Sequence, residues 1–474
     1  MKRMGRGETS PGSILSLNEI ELKYHMPAHL NQGATHFEQG DIMMKRNFMN
    51  GRRTLISLLA FLGLMGCASV DTGFLVKDEN IDVDCAVGDV TAHEAVVWMK
   101  TREAQSLVIQ YTADSTWTAY LETAVLQTSA TRDFTAHAVL TNLQPATRYS
   151  YRGTIQGGPP IGPCQFVTAP LPEEAVPVTF VIGGDTRHGY HPYKMMQTLQ
   201  EEKPDFFVFL GDTIYSDKEK PAHELAEYWA KYRENRDGFV KRLLANIPVY
   251  VMWDDHEVDS DFISTHPRLP IGRQAFFDYW PIRVNAREPG RLYRSFQWGK
   301  GVEFFLLDTR QYRNPSTQTM LGEAQKQWLL HQLKASQATT KFIVSSVPFS
   351  DPRKDKWGEY PHERDEILQF IRDQAISGVF FLAGDVHHGA VSRMPGFADM
   401  QEMIFGPLAA HMNYKVSSSE PRFEFFYHQT PNFGKITVHP DPAHPTVHIE
   451  WIDAHHQVIY DVRIENSPFP SQPQ

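Results

Sequence analysis

Four short apolar runs in this sequence end in an aspartate. They are Val181-Ile-Gly-Gly-Asp185, Phe207-Val-Phe-Leu-Gly-Asp212, Val249-Tyr-Val-Met-Trp-Asp-Asp255 and Val379-Phe-Phe-Leu-Ala-Gly-Asp385. Two of them add imidazoles, at His256 and at His387. Such a run reads as a buried strand that surfaces and turns. In α/β sheets, ligands bind beyond the carboxyl ends of the strands. Carboxylates and imidazoles gathered at one sheet edge suit a metal centre. The matching chemistry is phosphate-ester hydrolysis. Water is a poor nucleophile, and the phosphoryl oxygens repel it. Two cations a few ångströms apart answer both difficulties. Asp185, Asp212, Asp255 and Asp385 supply oxygen ligands, and His387 a nitrogen. His256 follows Asp255 and stands where it could protonate a leaving oxygen. Arg187 and His188, just past the first aspartate, are placed by position and charge to hold phosphate oxygens.

Blander readings apply to the neighbours. Asp254 adjoins Asp255, and only one of the two need face metals; Asp254 reads as support. Glu257 reads as structural and His388 as a surface neighbour of His387. Arg310 and Arg313 read equally as scaffold ion pairs or as substrate ligands. Tyr360 and Arg364 read as scaffold or rim. His455 and His456 read as an exposed loop.

The elements that must position these residues follow from the pattern around them. Apolar strands run over 178–184, 205–210, 248–253, 302–307, 341–348 and 378–383, alternating with helical segments over 193–202, 223–236, 239–246, 322–336 and 363–376. Strands return from about 400 and end at 446–452 and 457–464. This is an α/β pattern of two sheets packed face to face with helices outside. The proline-rich stretch 170–177 reads as a linker. Before it, residues 82–170 carry short alternating runs between turn signals, the texture of a small β-sandwich. Cys85 and Cys164 lie on its first and last strands and read either as a disulfide or as a buried free pair.

Residues 1–42 carry no sustained apolar period and read as disordered, or as a start assigned too early. A basic run over 43–53, an apolar run over 54–65 and Gly66-Cys67-Ala68 have the order of a secretory signal. Its apolar part is shorter than the ~20 residues of a membrane span. Leu64-Met-Gly-Cys67 resembles a bacterial lipobox, with Cys67 as a lipid-modified mature N-terminus. The rival readings are a plain signal peptide and an uncleaved anchor. Translation would then begin at Met43 or Met44, and the protein would be exported to a periplasm or cell surface.

The chain has 474 residues, 41% hydrophobic and 22% charged, which is the composition of a soluble globular protein of more than one domain. Its formal net charge of -10 argues against a nucleic-acid binder. It does not argue against a phosphorylated substrate, because bound cations reverse the local field. Any membrane contact would run through the lipid on Cys67. The sequence carries no signal for an oligomeric state.

Taken in order, Gly184-Asp185, Gly211-Asp-Thr-Ile-Tyr215, Asp254-Asp-His-Glu257 and Gly384-Asp-Val-His387 resemble the blocks of the calcineurin-like metallophosphoesterase superfamily. Within it, Trp253-Asp-Asp-His-Glu-Val258, Leu307-Asp-Thr-Arg-Gln-Tyr-Arg313 and Trp357-Gly-Glu-Tyr-Pro-His-Glu-Arg364 are similar to the alkaline phosphatase D (PhoD-like) family. The resemblance covers about 82–465. It implies a four-layer αββα metallophosphoesterase sandwich over 177–465, preceded by a small β-sandwich. Asn142-Leu-Gln-Pro-Ala-Thr-Arg-Tyr-Ser-Tyr151 resembles the tyrosine corner of fibronectin type III-like domains.

The resemblance also implies roles. Asp185, Tyr215 and His387 would bind a first metal, with Tyr215 as a phenolate in the Gly-Asp-x-x-Tyr pattern shared with purple acid phosphatases. Asp212 would bridge. Asp255 and Asp385 would bind a second metal, Asp255 also contacting phosphate. His256 would be the general acid. The metals implied are iron and calcium. Here the first block, Ile182-Gly-Gly-Asp185, lacks the cysteine ligand that many members carry, and no cysteine follows Cys164. Iron would therefore rest on Tyr215 and oxygen donors. Ile343-Val-Ser-Ser-Val347 stands where the superfamily usually has a histidine, a loss the family shares. The activity implied is hydrolysis of phosphate monoesters, with a metal-bound hydroxide attacking phosphorus in line. The rivals are a phosphodiesterase or phospholipase-type enzyme on the same site, and a non-catalytic surface binding protein. The intact Asp185, Asp212, Asp255, His256 and His387 set argues against the last.

Overall fold

The computed structural model describes residues 83–441 and 444–465. The leader, the lipobox cysteine Cys67 and the stretch 1–42 lie outside the described residues. The core of the molecule is a pair of sheets. One has nine strands, in the order Val458–Glu465, Thr446–Asp453, Asn432–His439, Val178–Gly183, Phe206–Phe209, Val249–Val251, Cys85–Gly88, Ala95–Lys100, Thr135–Leu140. The other has seven, in the order Arg294–Trp298, Val302–Leu306, Thr340–Val344, Val379–Ala383, Phe397–Ile404, Gly389–Met394, Phe423–Tyr427.

The period of two along each strand builds the layers. Phe206 and Val208 face the inter-sheet core, while Phe207 and Phe209 face the helices outside. Phe304 and Phe342 face inward in the second sheet, and Phe305 and Ile343 outward. Between the sheets the aromatic rings interlock: Phe180 stacks on Phe206 at 5.3 Å and meets Phe304 edge-on at 4.9 Å. Each such buried side chain contributes about 1.5–3 kcal/mol relative to exposure. Helices Met195–Glu201, Leu225–Asn235, Gly238–Asn246 and Leu269–Tyr279 cover the first sheet, and Gly322–Ala335 and Pro361–Asp373 the second. The result is the expected αββα sandwich, with a β-rich region before it.

Helix Leu269–Tyr279 is not among the helices expected of the sequence, and it carries Pro270 and Gly272 in its first half. Pro270 stands in the first turn, where no backbone donor is needed. At Gly272 a Cβ would lie 2.7 Å from Val258 Cγ2 and 2.8 Å from the Glu257 carbonyl. The glycine lets the helix pack onto the segment carrying Asp255 and His256.

The β-rich region before residue 170 has its own second sheet, built on Ser106–Thr112, Arg148–Ile155 and Ile161–Val167. Its other three strands continue the nine-stranded sheet through the parallel pairing of Gly88 with Val249. A Cβ at Gly88 would sit 2.5 Å from the Val249 carbonyl, so glycine is required there. Trp98 donates its Nε1–H to the Asp278 carbonyl at 2.8 Å, and the Arg236 guanidinium lies 4.0 Å over the Trp98 ring. The Tyr149 hydroxyl accepts from the Gln144 amide at 2.9 Å, the loop tie expected of the tyrosine corner. Cys85 and Cys164 form a disulfide between the region's two sheets.

Candidate metal centre

The strands Val178–Gly183, Phe206–Phe209 and Val249–Val251 run parallel and adjacent, so their ends arrive together. Val379–Ala383 delivers its end from the facing sheet. Asp185, Asp212, Asp385 and His387 all have left-handed backbone, with φ of 63, 49, 67 and 56°. Such geometry costs a non-glycine residue about 1–2 kcal/mol and concentrates where structure over-determines it. Hydrogen bonds hold it here: the Thr186 amide donates to the Asp212 carbonyl at 2.9 Å, and the Ala409 amide to the Asp185 carbonyl at 2.9 Å.

Glu257, fully buried, is the hub of the site. Its carboxylate accepts from the backbone amides of Asp212 (3.2 Å), Thr213 (2.6 Å) and Asp254 (2.8 Å). It thereby fixes two strand ends against each other, as its structural reading expected. Gly211 closes the same joint. Its φ is +114°, and a Cβ would fall 2.8 Å from the Asp254 amide. Gly211→Ala is expected to destabilise the fold by about 2 kcal/mol or more, read by urea denaturation, and to lower metal content. Unchanged stability with full metal content would contradict this account of the joint.

The candidate ligands converge. Asp185, Asp212 and His387 offer ligand atoms within 4.8 Å of one another, and so do Asp212, Asp254, Asp255 and Asp385. Asp212 belongs to both groups. A third grouping joins Asp212, Asp255 and His256. The Tyr215 hydroxyl lies 3.1 Å from His387 Nε2, which is 3.5 Å from an Asp185 oxygen. His387 Nδ1 meets the His411 carbonyl at 2.7 Å, so Nε2 is the atom turned to the centre.

The electrostatics fit a cation. Burial, then Asp255, Asp254 and Asp185, hold the Asp212 carboxyl well above its usual range. Burial pushes Asp385 up to about 7, with Lys356 pulling the other way. Asp185 Oδ2 and Asp255 Oδ1 are buried with no hydrogen-bond partner. Packing carboxylates this closely is unfavourable unless positive charge sits among them. The chain supplies part of it through Lys356, paired with Asp385, and Arg310. Oxygen donors, one imidazole and one phenol suit hard or borderline metals. At Gly184, in the block without a cysteine, a Cβ would meet the Gly211 carbonyl at 3.1 Å and Leu210 Cβ at 3.2 Å.

His256 has a partner the sequence did not reveal. Its Nδ1 lies 2.6 Å from Asp217 Oδ1, and its Nε2 lies 4.0 Å from Asp212. Burial opposes its charge, but Asp255 and Asp217 outweigh that and raise its pKa to about 9. Asp217 lies two residues past Tyr215, and that short spacing was the available signal. Lys356, immediately before the Trp357 block, and Arg353 were missed as well.

The open cavity at the centre has a volume of about 510 Å³. Asp212, Asp255, His256, Asp385 and His387 line it, with Arg353, Tyr414 and Lys415 toward its mouth. Arg187 and His188 are not among its lining residues. Arg187 is ion-paired with Glu219, its Nε 3.0 Å from that carboxylate, and its guanidinium lies 5.8 Å from the Tyr215 ring. His188 packs on His191 and faces Glu234 at 4.0 Å. Arg187 thus stands beside Tyr215 with its charge shared with Glu219, and His188 stands farther along the same turn.

Arg310 and Arg313 are buried scaffold, Arg310 bridging Asp254 and Asp355, and Arg313 pairing with Asp355. One Asp254 oxygen is occupied by Arg310 and Ser346, consistent with support. His388 is not on the surface. It is fully buried against Phe423 and Phe426, and burial lowers its pKa to about 3. Tyr360 is buried, and Arg364 pairs with Asp365.

This arrangement can be set beside known proteins. A family model described as PhoD-like phosphatase matches residues 179–435, and one described as PhoD-like phosphatase, N-terminal domain, matches 68–170. The chain belongs to the PhoD-like phosphatase family. Alkaline phosphatase D of Bacillus subtilis (strain 168) is 27% identical over 329 residues, which is 57% of this chain and 56% of that protein. The match thus spans little more than half the length of that relative. The serine/threonine-protein phosphatase CPPED1 of Homo sapiens is 30% identical over 135 residues, 28% of this chain and 35% of that protein. Among solved structures, that of PhoD superposes with a TM-score of 0.71 at 20% identity, covering 82% of this chain and 90% of the other. A purple acid phosphatase from yellow lupin (Lupinus luteus) seeds follows with a TM-score of 0.58 at 14% identity, covering 81% and 74%. At these identities the structural likenesses establish the fold, which this PhoD-like chain shares with PhoD and with the purple acid phosphatase.

Proposed function

We propose that this PhoD-like protein is a metal-dependent phosphatase that hydrolyses phosphate monoesters at a two-metal centre. The observation that carries the reading is Asp212, whose carboxylate belongs to two ligand groups at once. Asp185, His387 and Tyr215 would hold one metal, Asp255 and Asp385 the second, with Asp212 shared. Bound cations would lower the pKa of water and share the charge of the phosphoryl oxygens. Asp217 fixes His256 through Nδ1 and leaves Nε2 toward the cavity, where it would protonate the departing alkoxide. Lys415 supplies positive charge at the mouth, where Arg353 is paired with Asp351. The oxygen-rich donor set with one phenol supports iron and calcium as the metals. The basic-then-apolar leader before Cys67 and the Cys85–Cys164 disulfide support an exported enzyme, lipid-anchored at Cys67.

The test is a panel of mono- and diesters assayed with the metal-loaded enzyme. Alkyl and aryl phosphate monoesters should be hydrolysed with kcat/KM above that for the matched diesters. Hydrolysis of diesters alone would replace the reading with a phosphodiesterase. No hydrolysis of either by metal-loaded protein would leave a binding protein on this scaffold.

A further inference from the structure

The cavity is built for more than a phosphoryl group. Its volume of about 510 Å³ falls among sites that enclose a small organic ligand, roughly 300–1,000 Å³. Its floor is carboxylate and imidazole. Tyr414 is the one phenylalanine, tyrosine or tryptophan among the described residues that line it. It stands at the mouth, 69% exposed, with one ring neighbour, His428, edge-on at 5.4 Å.

Tyr414 is exposed, but its backbone is fixed. The Asn413 amide donates to the His387 carbonyl at 3.0 Å, and Asn413 Nδ2 donates to the Val386 carbonyl at 3.1 Å. His387 Nδ1 returns a bond to the His411 carbonyl at 2.7 Å. The Lys415 amide donates to Asn413 Oδ1 at 3.0 Å. Upstream, the Leu408 and Ala409 amides donate to the carbonyls of Gly184 and Asp185 at 2.8 and 2.9 Å. The segment 408–415 is thus tied to the backbone of two candidate ligands, Asp185 and His387. The backbone that carries Tyr414 is held in a set relation to the reacting centre, and His428 is the ring the protein sets against it. A ring on a fixed backbone has only its two side-chain torsions to lose when a ligand packs on it.

We infer that Tyr414 is a specificity-determining residue that stacks the leaving alcohol, and that the preferred substrates are phosphate esters whose alcohol carries an aromatic ring. The inference rests on the phosphatase reading for its substrate. Its geometry needs only that a phosphoryl or phosphonyl group bind at the centre.

The experiment compares metal-loaded wild type with Tyr414→Ala and Tyr414→Phe. Dissociation constants are measured by calorimetry for naphthylphosphonate and butylphosphonate, and KM and kcat for naphthyl and butyl phosphate. Tyr414→Ala should lower the naphthyl-over-butyl preference in Kd and in KM by about three- to ten-fold, the size of an aromatic contact. Tyr414→Phe should keep that preference, since the face and not the hydroxyl is used. Equal weakening of both phosphonates by Tyr414→Ala, or no change in their ratio, would overturn the inference. If wild type turned over no ester, the phosphatase reading would fall, and the phosphonate ratio would still decide the role of Tyr414.

Discussion

Asp212→Ala should abolish turnover and empty both metal positions together. Asp212 is the carboxylate shared between the Asp185–His387 group and the Asp255–Asp385 group. Other ligands serve one side, so their loss should weaken one position first. Losing the several kcal/mol of charge stabilisation that such a centre supplies corresponds to roughly a thousand-fold or more in rate. The side chain is not needed for the fold in the same way. Removing a buried carboxylate held well above its usual range by burial and three neighbouring aspartates relieves repulsion. Without metal, the variant should therefore be at least as resistant to urea as wild type without metal. Elemental analysis and kcat/KM on one preparation check both halves. Retention of one full metal equivalent would contradict bridging, and near-wild-type turnover would remove the centre from the chemistry.

His256→Ala should cost about 10²–10⁴-fold in kcat, the range of a positioned acid or base, while metal content stays near wild type. The distinguishing measurement is dependence on the leaving group. An alkyl alkoxide needs a proton to depart, and a nitrophenolate does not. The loss should therefore be larger for butyl phosphate than for nitrophenyl phosphate. Asp217→Asn should follow the same pattern more weakly, because it leaves the imidazole in place and removes the carboxylate that fixes Nδ1 at 2.6 Å. His256 also falls within a ligand-sized group with Asp212 and Asp255. Loss of metal in His256→Ala, with equal damage on both esters, would make it a ligand instead of a donor.

The parts of the site that sequence revealed are those with a local signal. Gly211-Asp212 and Gly384-Asp385 end apolar strands, and the sheet brings strand ends together whatever lies between them. The same pattern gave the two sheets and the outer helices. The parts it concealed depend on contacts remote in the chain. Lys356 reaches Asp385 from a loop, and nothing in its own neighbourhood marks it. Asp217 was close to Tyr215 in sequence, but its pairing with His256 needs two loops folded against each other. Arg187 shows the same dependence on a remote partner. Its position beside Asp185 suggested phosphate, and nothing in the sequence signalled that Glu219 would pair with it. Gly88 shows the same limit at the scale of the fold. Its pairing with Val249 joins two regions that composition separates, and only the backbone contact explains why a side chain is excluded there.

The proposed chemistry turns on Asp212 joining two metal positions in one catalytic centre. It is tested most directly by stripping the wild-type protein with a chelator and returning metal in measured steps while following phosphate release from a monoester. Activity should vanish on stripping and return as the chain takes up two equivalents, with the elements identified on the same sample. Full activity in the stripped protein, or saturation at a single equivalent, would contradict it.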